Sequence, residues 1–476
     1  MHLPTLTLRP LSLLAPLALL VSLSPAGTGQ VVDLQQMAAD IQHLKTENTT
    51  LKQDYQRLNL QYGSVLQLAQ HLQQQLDAAL AAQGAAGTPD DEFYIPRVAG
   101  AFDASGLPQG FGSIYTKPFL SDAASKVHIG GYIDLEMSNP GGDDVNKEFD
   151  QHRLVPFIYA DVSDRVKVAA EIEIEHGSEL EVEFAQIDYL LDDAVNFRAG
   201  VQLLPLGKLN EVHDSPIQDL TFRPLVNTYI IPTTLRDTGV GLYGNITENL
   251  SYQTTLTNGF KGLNSDGDNV ITSKKGLRDA APQKENSTLD VDPFEQINDD
   301  FAWTTRLAWR PILGVEIGGS ALHDTYDEDG NNDLDIYAVD LSIDGKAVPF
   351  LPDNTEFLYE GAEANIGRDD FAKMSGVPDD MDGYYAQLNT HFAPDWLANF
   401  QEKGLVTEDA HFTFVLRHGM VDLDTYEMTR NTVGLNFRPN AHDTVFKFDY
   451  LFNDDEGEHE GDNDDEAFVF SVATYF

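Results

Sequence analysis

Charged side chains spaced two apart are the chemistry this sequence offers. Glu171, Glu173 and Glu175 are followed by Glu179, Glu181 and Glu183, with Ile172, Ile174, Leu180 and Val182 between them. Arg165 and Lys167 precede them at the same spacing. On an extended chain residues i and i+2 share a face, so each run sets charge on one side and hydrocarbon on the other. The same alternation carries Arg198, Arg306, Arg310, Arg417, Arg430, Arg438 and Lys447. Groups so placed attract or repel ions. No G-x-S-x-G or H-E-x-x-H motif stands in the chain, and the scattered His and Ser read as polar wall residues, so no enzyme is expected.

Asp327, Asp329, Asn331 and Asp333 have the 1-3-5-7 spacing of a calcium loop. Asn332 replaces the glycine that its sharp turn needs, and no Glu closes it at the twelfth position. The expectation is a solvated acidic loop without a cofactor. Divalent cations bridging the acidic outer loops to lipopolysaccharide, or a general adaptation to salt, are the alternatives.

The elements that must hold these charges follow from the period. Beyond Lys126 the hydrophobic pattern repeats every two residues, giving about sixteen candidate strands, most of them about ten residues long. They begin near Val127, Arg153, Arg165, Glu179, Val195, Thr238, Leu250, Phe301, Gly314, Leu334, Glu356, Tyr384, His411, Thr429, Thr444 and Ala467. The fourth, tenth and eleventh lose clean alternation, which points to a bulge or to a strand count off by two. Joins after even strands are mostly tight, those after the tenth and twelfth excepted; the long joins after odd strands run over 204–237, 261–300, 324–333, 366–382 and 453–466. Short turns on one side and long loops on the other are the asymmetry of an outer-membrane β-barrel. The chain stops on Phe476 after Phe468, Phe470, Val472 and Thr474 on one face, as a closing lipid-facing strand would. The expected fold is therefore an all-β transmembrane barrel over 127–476, in contact with outer-membrane lipid.

Faces follow from the same rule. Phe301, Trp303, Leu307 and Trp309, then Phe412, Phe414 and Leu416, then Phe446, Phe448, Tyr450 and Phe452, should meet lipid. The nine basic residues named above should line the lumen, with Glu171, Glu173, Glu181 and Glu183 at its outer mouth. Inner arginines favour anions and mouth acids favour cations, so the sign of any ion preference stays open.

The segment from Phe197 to Gly244 is the most distinctive: FRAGVQLLPLGKLNEVHDSPIQDLTFRPLVNTYIIPTTLRDTGVGLYG. Its apolar residues would be costly splayed into water, so this third outer loop should fold into the lumen, with Asp219, Arg223, Arg236 and Asp237 at a constriction. The run FRAGVQ followed by Pro205-Leu206-Gly207 resembles the strand-then-Pro-aromatic-Gly signature of the phosphate-selective porin O and P family, with Leu206 in the aromatic's place. That resemblance implies sixteen strands, an inward third loop, homotrimeric assembly, passive passage of small ionic or hydrophilic solutes and, in some members, an N-terminal coiled coil. Arg198 falls in the matching strand, while no lysine cluster stands in the loops.

Ahead of the barrel, residues 1–29 read as a signal peptide: Arg9, an apolar stretch from Leu11 to Leu23, then Ser24-Pro25-Ala26. Residues 30–84 carry heptads with Leu34, Ile41, Asn48, Tyr55, Tyr62, Ala69 and Leu76 at a, and Met37, Leu44, Leu51, Leu58, Val65, Leu72 and Ala79 at d. That pattern predicts a periplasmic α-helical coiled coil, with Asn48 fixing its register. Residues 85–126 form a Gly-, Asp- and Pro-rich linker. No cysteine is present, and a formal net charge of −47 excludes nucleic acid as a partner. A structural envelope protein, spacing or tethering the outer membrane through its coiled coil, is the second reading.

Overall fold

A computed structural model describes residues 127–140, 147–440, 443–457 and 466–476. The signal-peptide, coiled-coil and linker expectations lie outside the described residues. Among the described residues are sixteen strands, and the first four are β1 (Val127–Pro140), β2 (Glu148–Asp161), β3 (Val166–Glu175) and β4 (Glu179–Leu190). They continue as β5 (Asn196–Leu203), β6 (Arg236–Thr247), β7 (Leu250–Thr257) and β8 (Ala302–Ile312). Next come β9 (Val315–Thr325), β10 (Asp333–Asp344), β11 (Thr355–Ile366) and β12 (Asp380–Phe392). The last are β13 (His411–Asp422), β14 (Tyr426–Asn440), β15 (Thr444–Gly457) and β16 (Glu466–Tyr475). Each pairs antiparallel with its sequence neighbour, and β16 closes on β1.

Closure removes every sheet edge, which a strand wall needs in hydrocarbon, where no water satisfies an open edge. The seam pairs Tyr132 with Tyr475 and Pro140 with Ala467, a few residues further along β1 than Val127. At the seam Thr474 Oγ1 meets Thr444 Oγ1 at 2.8 Å, so a polar residue on the outer face finds its partner within the wall.

The period-two expectation holds in burial. In β8, Trp303, Leu307 and Trp309 are exposed on the outside, while Ala302, Thr304, Arg306 and Ala308 are buried within. Trp303 and Trp309 bracket the strand, as interfacial aromatics do. Phe392, Phe412, Phe437 and Phe446 form a row across β12–β15 at the short-turn end, with successive ring centroids 5.7, 4.8 and 6.3 Å apart. Among the described residues no helix is long and apolar enough to span a bilayer.

The lost alternation of β4 is a bulge. Glu171 opposes Phe184 while Ile172 opposes Val182, so Glu183 is the extra residue. Glu183 and Phe184 are both buried inside, and the inward phase passes from odd to even residues. In β10 and β11 no bulge is needed. Leu334, Ile336 and Ala338 of β10 and Ala362, Ala364 and Ile366 of β11 point inward onto packed loops, so the inner face is apolar there while Asp335, Glu363 and Asn365 stand between them on the outer one.

Candidate functional site

The loop between β5 and β6 (204–235), the third on its side of the wall, runs through the lumen and is held to the wall around most of its circumference. Its entry is Pro205-Leu206-Gly207. Gly207 N donates to Ser320 Oγ of β9 at 2.9 Å. Lys208 N and Leu209 N both donate to Glu360 Oε2 of β11, at 2.7 and 2.9 Å, and Asn227 Nδ2 donates to Glu360 Oε1 at 2.5 Å. Gly207 has φ +68, and a Cβ there would lie 2.5 Å from Glu360 Oε1. Glycine is thus required twice over, for the backbone angle and for the carboxylate's approach.

The loop's middle crosses to the opposite wall. Asp219 takes Asn389 Nδ2 at 2.7 Å and Arg438 at 3.2 Å. Thr221 N donates to Asp449 Oδ2 at 2.7 Å, and Arg417 reaches Phe222 O at 2.5 Å. His213 Nε2 lies 2.5 Å from Glu183 Oε1, and Tyr475 donates to Asp214 Oδ2 at 2.7 Å. The β4 bulge sets Glu183 and Phe184 side by side on the inner face, where Glu183 receives this loop.

The basic residues expected along the lumen are mostly bound to carboxylates. Arg198 meets Asp188 at 2.8 Å. Arg306, fully buried, sits between Asp340 and Glu316, and Arg310 meets Glu316 at 2.8 Å. Lys167 pairs with Asp161 at 2.6 Å. Lys447 is buried among Asp134, Asp449 and Glu136. Arg430 donates to Asn453 Oδ1 at 2.7 Å. Arg165 departs from the expected lining. It precedes β3, is exposed in the β2–β3 turn, and donates to the carbonyls of Leu190 and Leu191 in the next turn.

The mouth acids have partners too. Glu171 accepts from Tyr159, Glu173 lies 2.8 Å from Arg153, and Glu181 takes Arg236. Of the constriction residues, Asp219 and Arg223 lie in the loop, and Arg223 donates to Thr233 O within it. Arg236 and Asp237 do not. They open β6, paired with Leu203 and Gln202, because the ladder extends two residues further than the pattern shows. Asp237 instead holds the entry of the fourth long loop, accepting Gly259 N at 2.7 Å, and Asp324 accepts Phe260 N beside it at 2.6 Å. In the third loop, burial pushes the Glu211 carboxyl up to about 7 against the pull of Arg306 and Arg198.

The calcium-spaced quartet does not form a cage. Asp327 spends its carboxylate on the amides of Asn331 and Asn332, and Asp333 already belongs to β10. Among the described residues, three groups of acidic and histidine side chains could each hold one ion. They are Asp150-His152-His176, Glu175-His176-Glu179 and Glu183-His213-Asp214.

Sequence reasoning missed Glu360, Asp340, Glu316, Arg153 and His213, the residues that organise this interior. An acid in a strand carries no mark of the loop that will reach it. It also missed the apolar packing at the long-loop end, where Leu225, Ile230 and Ile231 of the third loop meet Leu277 and Leu289 of the fourth and the inner faces of β10 and β11. A second apolar cluster joins Tyr132, Phe157, Phe184, Leu203 and Tyr475.

A closed sixteen-stranded barrel with a lipid-type exterior and a loop-filled, charge-paired interior is the class this geometry defines. No protein-family model matches the chain. An uncharacterised protein of Aquifex aeolicus (strain VF5) is 32% identical over 239 residues. That match spans 46% of this chain and 52% of the Aquifex protein, about half the length of each. Among solved structures, in-vitro folded OmpT, an outer membrane protein of Vibrio cholerae, has a TM-score of 0.46 at 10% identity, over 76% of this chain and all of that one. Salmonella typhi OmpF has a TM-score of 0.46 at 9% identity, over 74% and 98% of the two chains. Pseudomonas putida OprB has 0.44 at 9% identity, over 74% and 94%.

Proposed function

We propose that this protein is an outer-membrane channel, passing small hydrophilic or ionic solutes through a lumen narrowed by the third loop, with a preference for cations. The clamping of that loop across the lumen is the observation that carries the reading. The preference rests on charge. Arg153, Arg198, Arg306, Arg310 and Arg438 each already face a carboxylate, while Arg223, Arg417 and Arg430 are held by carbonyl or amide oxygens, so most of these arginines are offset before an anion arrives. The chain as a whole carries a formal net charge of −47, which draws cations toward it. The long-loop end, rich in acid, faces outward in this reading, and the chain assembles as a homotrimer.

The apolar packing of the third and fourth loops supports a second reading. A barrel filled in this way conducts little and serves as an anchor for an envelope-spacing coiled coil. Reconstitution in planar bilayers separates the two. Stepwise conductance with a cation-selective reversal potential under a salt gradient supports the channel. An electrically silent barrel leaves the anchor, and an anion-selective potential overturns the charge argument.

A further inference from the structure

At the long-loop end of the wall, two histidines, one in a strand and one in a turn, point the same ring nitrogen toward one carboxylate oxygen. Nδ1 of His176, in the turn after β3, lies 2.7 Å from Asp150 Oδ2, and Nδ1 of His152 in β2 lies 3.6 Å from the same atom. The rings are 5.7 Å apart and inclined by 67°. We propose that Asp150, His152 and His176 form a binding site for a divalent first-row transition cation such as zinc or copper.

The fold builds this convergence. Along β1 and β2, Asp134 opposes Arg153 but Glu136 opposes Asp150, so β2 carries one residue more than its partner. In a regular strand Asp150 and His152 would share the parity of Ile158, which is exposed on the outside. The bulge turns Asp150 to the side of Glu136 and brings His152 beside it, and Gln151 Nε2 donates to Asp134 O and Arg153 O across it. Bulges re-aim side chains in this way. The third ligand is set independently. His176 has φ +50 ahead of Gly177, and its amide donates to His152 O at 3.3 Å, so the turn folds back onto the bulge.

The donor set fits a transition metal. Two imidazole nitrogens and one carboxylate on one side of an ion, with the remaining positions open to water, suit zinc, copper or iron, whereas calcium and magnesium take oxygen cages. Bonds of about 2.0–2.1 Å place neighbouring ligand atoms roughly 3–3.5 Å apart, so His152 must close and His176 open by only a few tenths of an ångström. His176 has the freedom to do so, its side chain being 47% exposed. Glu136 Oε1 lies 3.8 Å from His152 Nε2, on the far side of the ring from Asp150. At that distance it adds negative charge beside the ring rather than a hydrogen bond. Glu175 and Glu179 also lie close to His176 and add negative charge. Of the two histidines, only His176 hydrogen-bonds that oxygen; His152, at 3.6 Å, is beyond hydrogen-bond reach of it and near the spacing of two ligands on one ion.

The test uses the full chain in detergent, stripped of metal. Zinc is titrated in a large excess of calcium, which saturates carboxylate-only surfaces. The expected result is one zinc per chain retained at that site, with affinity lowered at least about tenfold in His152→Ala and in His176→Ala. Asp329→Asn in the acidic loop should leave it unchanged. Copper bound to the wild-type protein should show nitrogen hyperfine coupling that the double histidine variant loses. Zinc displaced by calcium, unchanged affinity in both single variants, or a copper spectrum without that histidine-dependent coupling overturns the proposal. Heat-modifiable gel mobility verifies that each variant is a folded barrel. The wild-type copper spectrum needs no variant to contradict the site.

Discussion

Glu360 shows how much one wall carboxylate organises. It receives two backbone amides and a side-chain amide from the third loop, and Gly207 exists in the form that lets it approach. Glu360→Ala strips those donors of their acceptor in a buried setting, at about 1–3 kcal/mol for each unmet group. The loop should then loosen, read as protease cleavage within 204–235 and larger conductance steps, while the barrel persists. Protection equal to the wild type would refute the clamp. Glu211 adds a pH dependence. Its folded-state pKa, raised to about 7 from an ordinary 4.5, means that ionisation opposes docking. The folded loop holds a proton between those values that the released loop gives up. Docking is therefore strengthened as pH falls from about 7 toward 4.5 and weakened as pH rises through 7, by about 3 kcal/mol in full. Glu211→Gln should flatten that pH dependence of protease protection. A slope of the opposite sign would contradict the burial argument.

At the scale of elements, the wall was legible and the filling was not. Strand positions follow from alternation, which needs only the residue itself to declare a face. Even the failure of alternation in β4 pointed to its bulge, because an added residue leaves a phase change in the sequence. In β10 and β11 the same symptom has another cause: inner positions such as Ile336 and Ala364 are apolar because loops cover them. One strand's sequence cannot tell a bulge from a buried inner face. Nor could it pair Arg306 with Asp340, since both are polar inward residues until the register sets them in contact. The apolar filling is testable as an element. Ile230→Ala with Leu277→Ala removes side chains from facing loops, costing about 2–5 kcal/mol each. Because this packing lies inside the wall, the double variant should keep its heat-modifiable mobility and lose protection of both loops together. Release of the third loop alone would mean that the two do not form one unit.

Charge and symmetry meet at the scale of the whole molecule. In the proposed homotrimer, three copies of a chain carrying −47 would repel one another, and the wall offers hydrocarbon that lipid can cover as well as a neighbour can. The heptads of residues 31–83, read as a coiled coil, would answer this by joining the chains through a contact apart from the wall, with Asn48 rejecting shifted registers. Deleting 31–83 should therefore leave a barrel that inserts but assembles poorly, its conductance steps changing from triplets to single events. Raising ionic strength should partly restore association, since screening shortens the reach of the repulsion to about 8 Å at physiological salt. Crosslinking in detergent across a salt series reads both effects. Failure of the truncated chain to insert would show that the coil is needed to build the barrel, and unchanged trimers at low salt would place the assembly contacts on the wall itself.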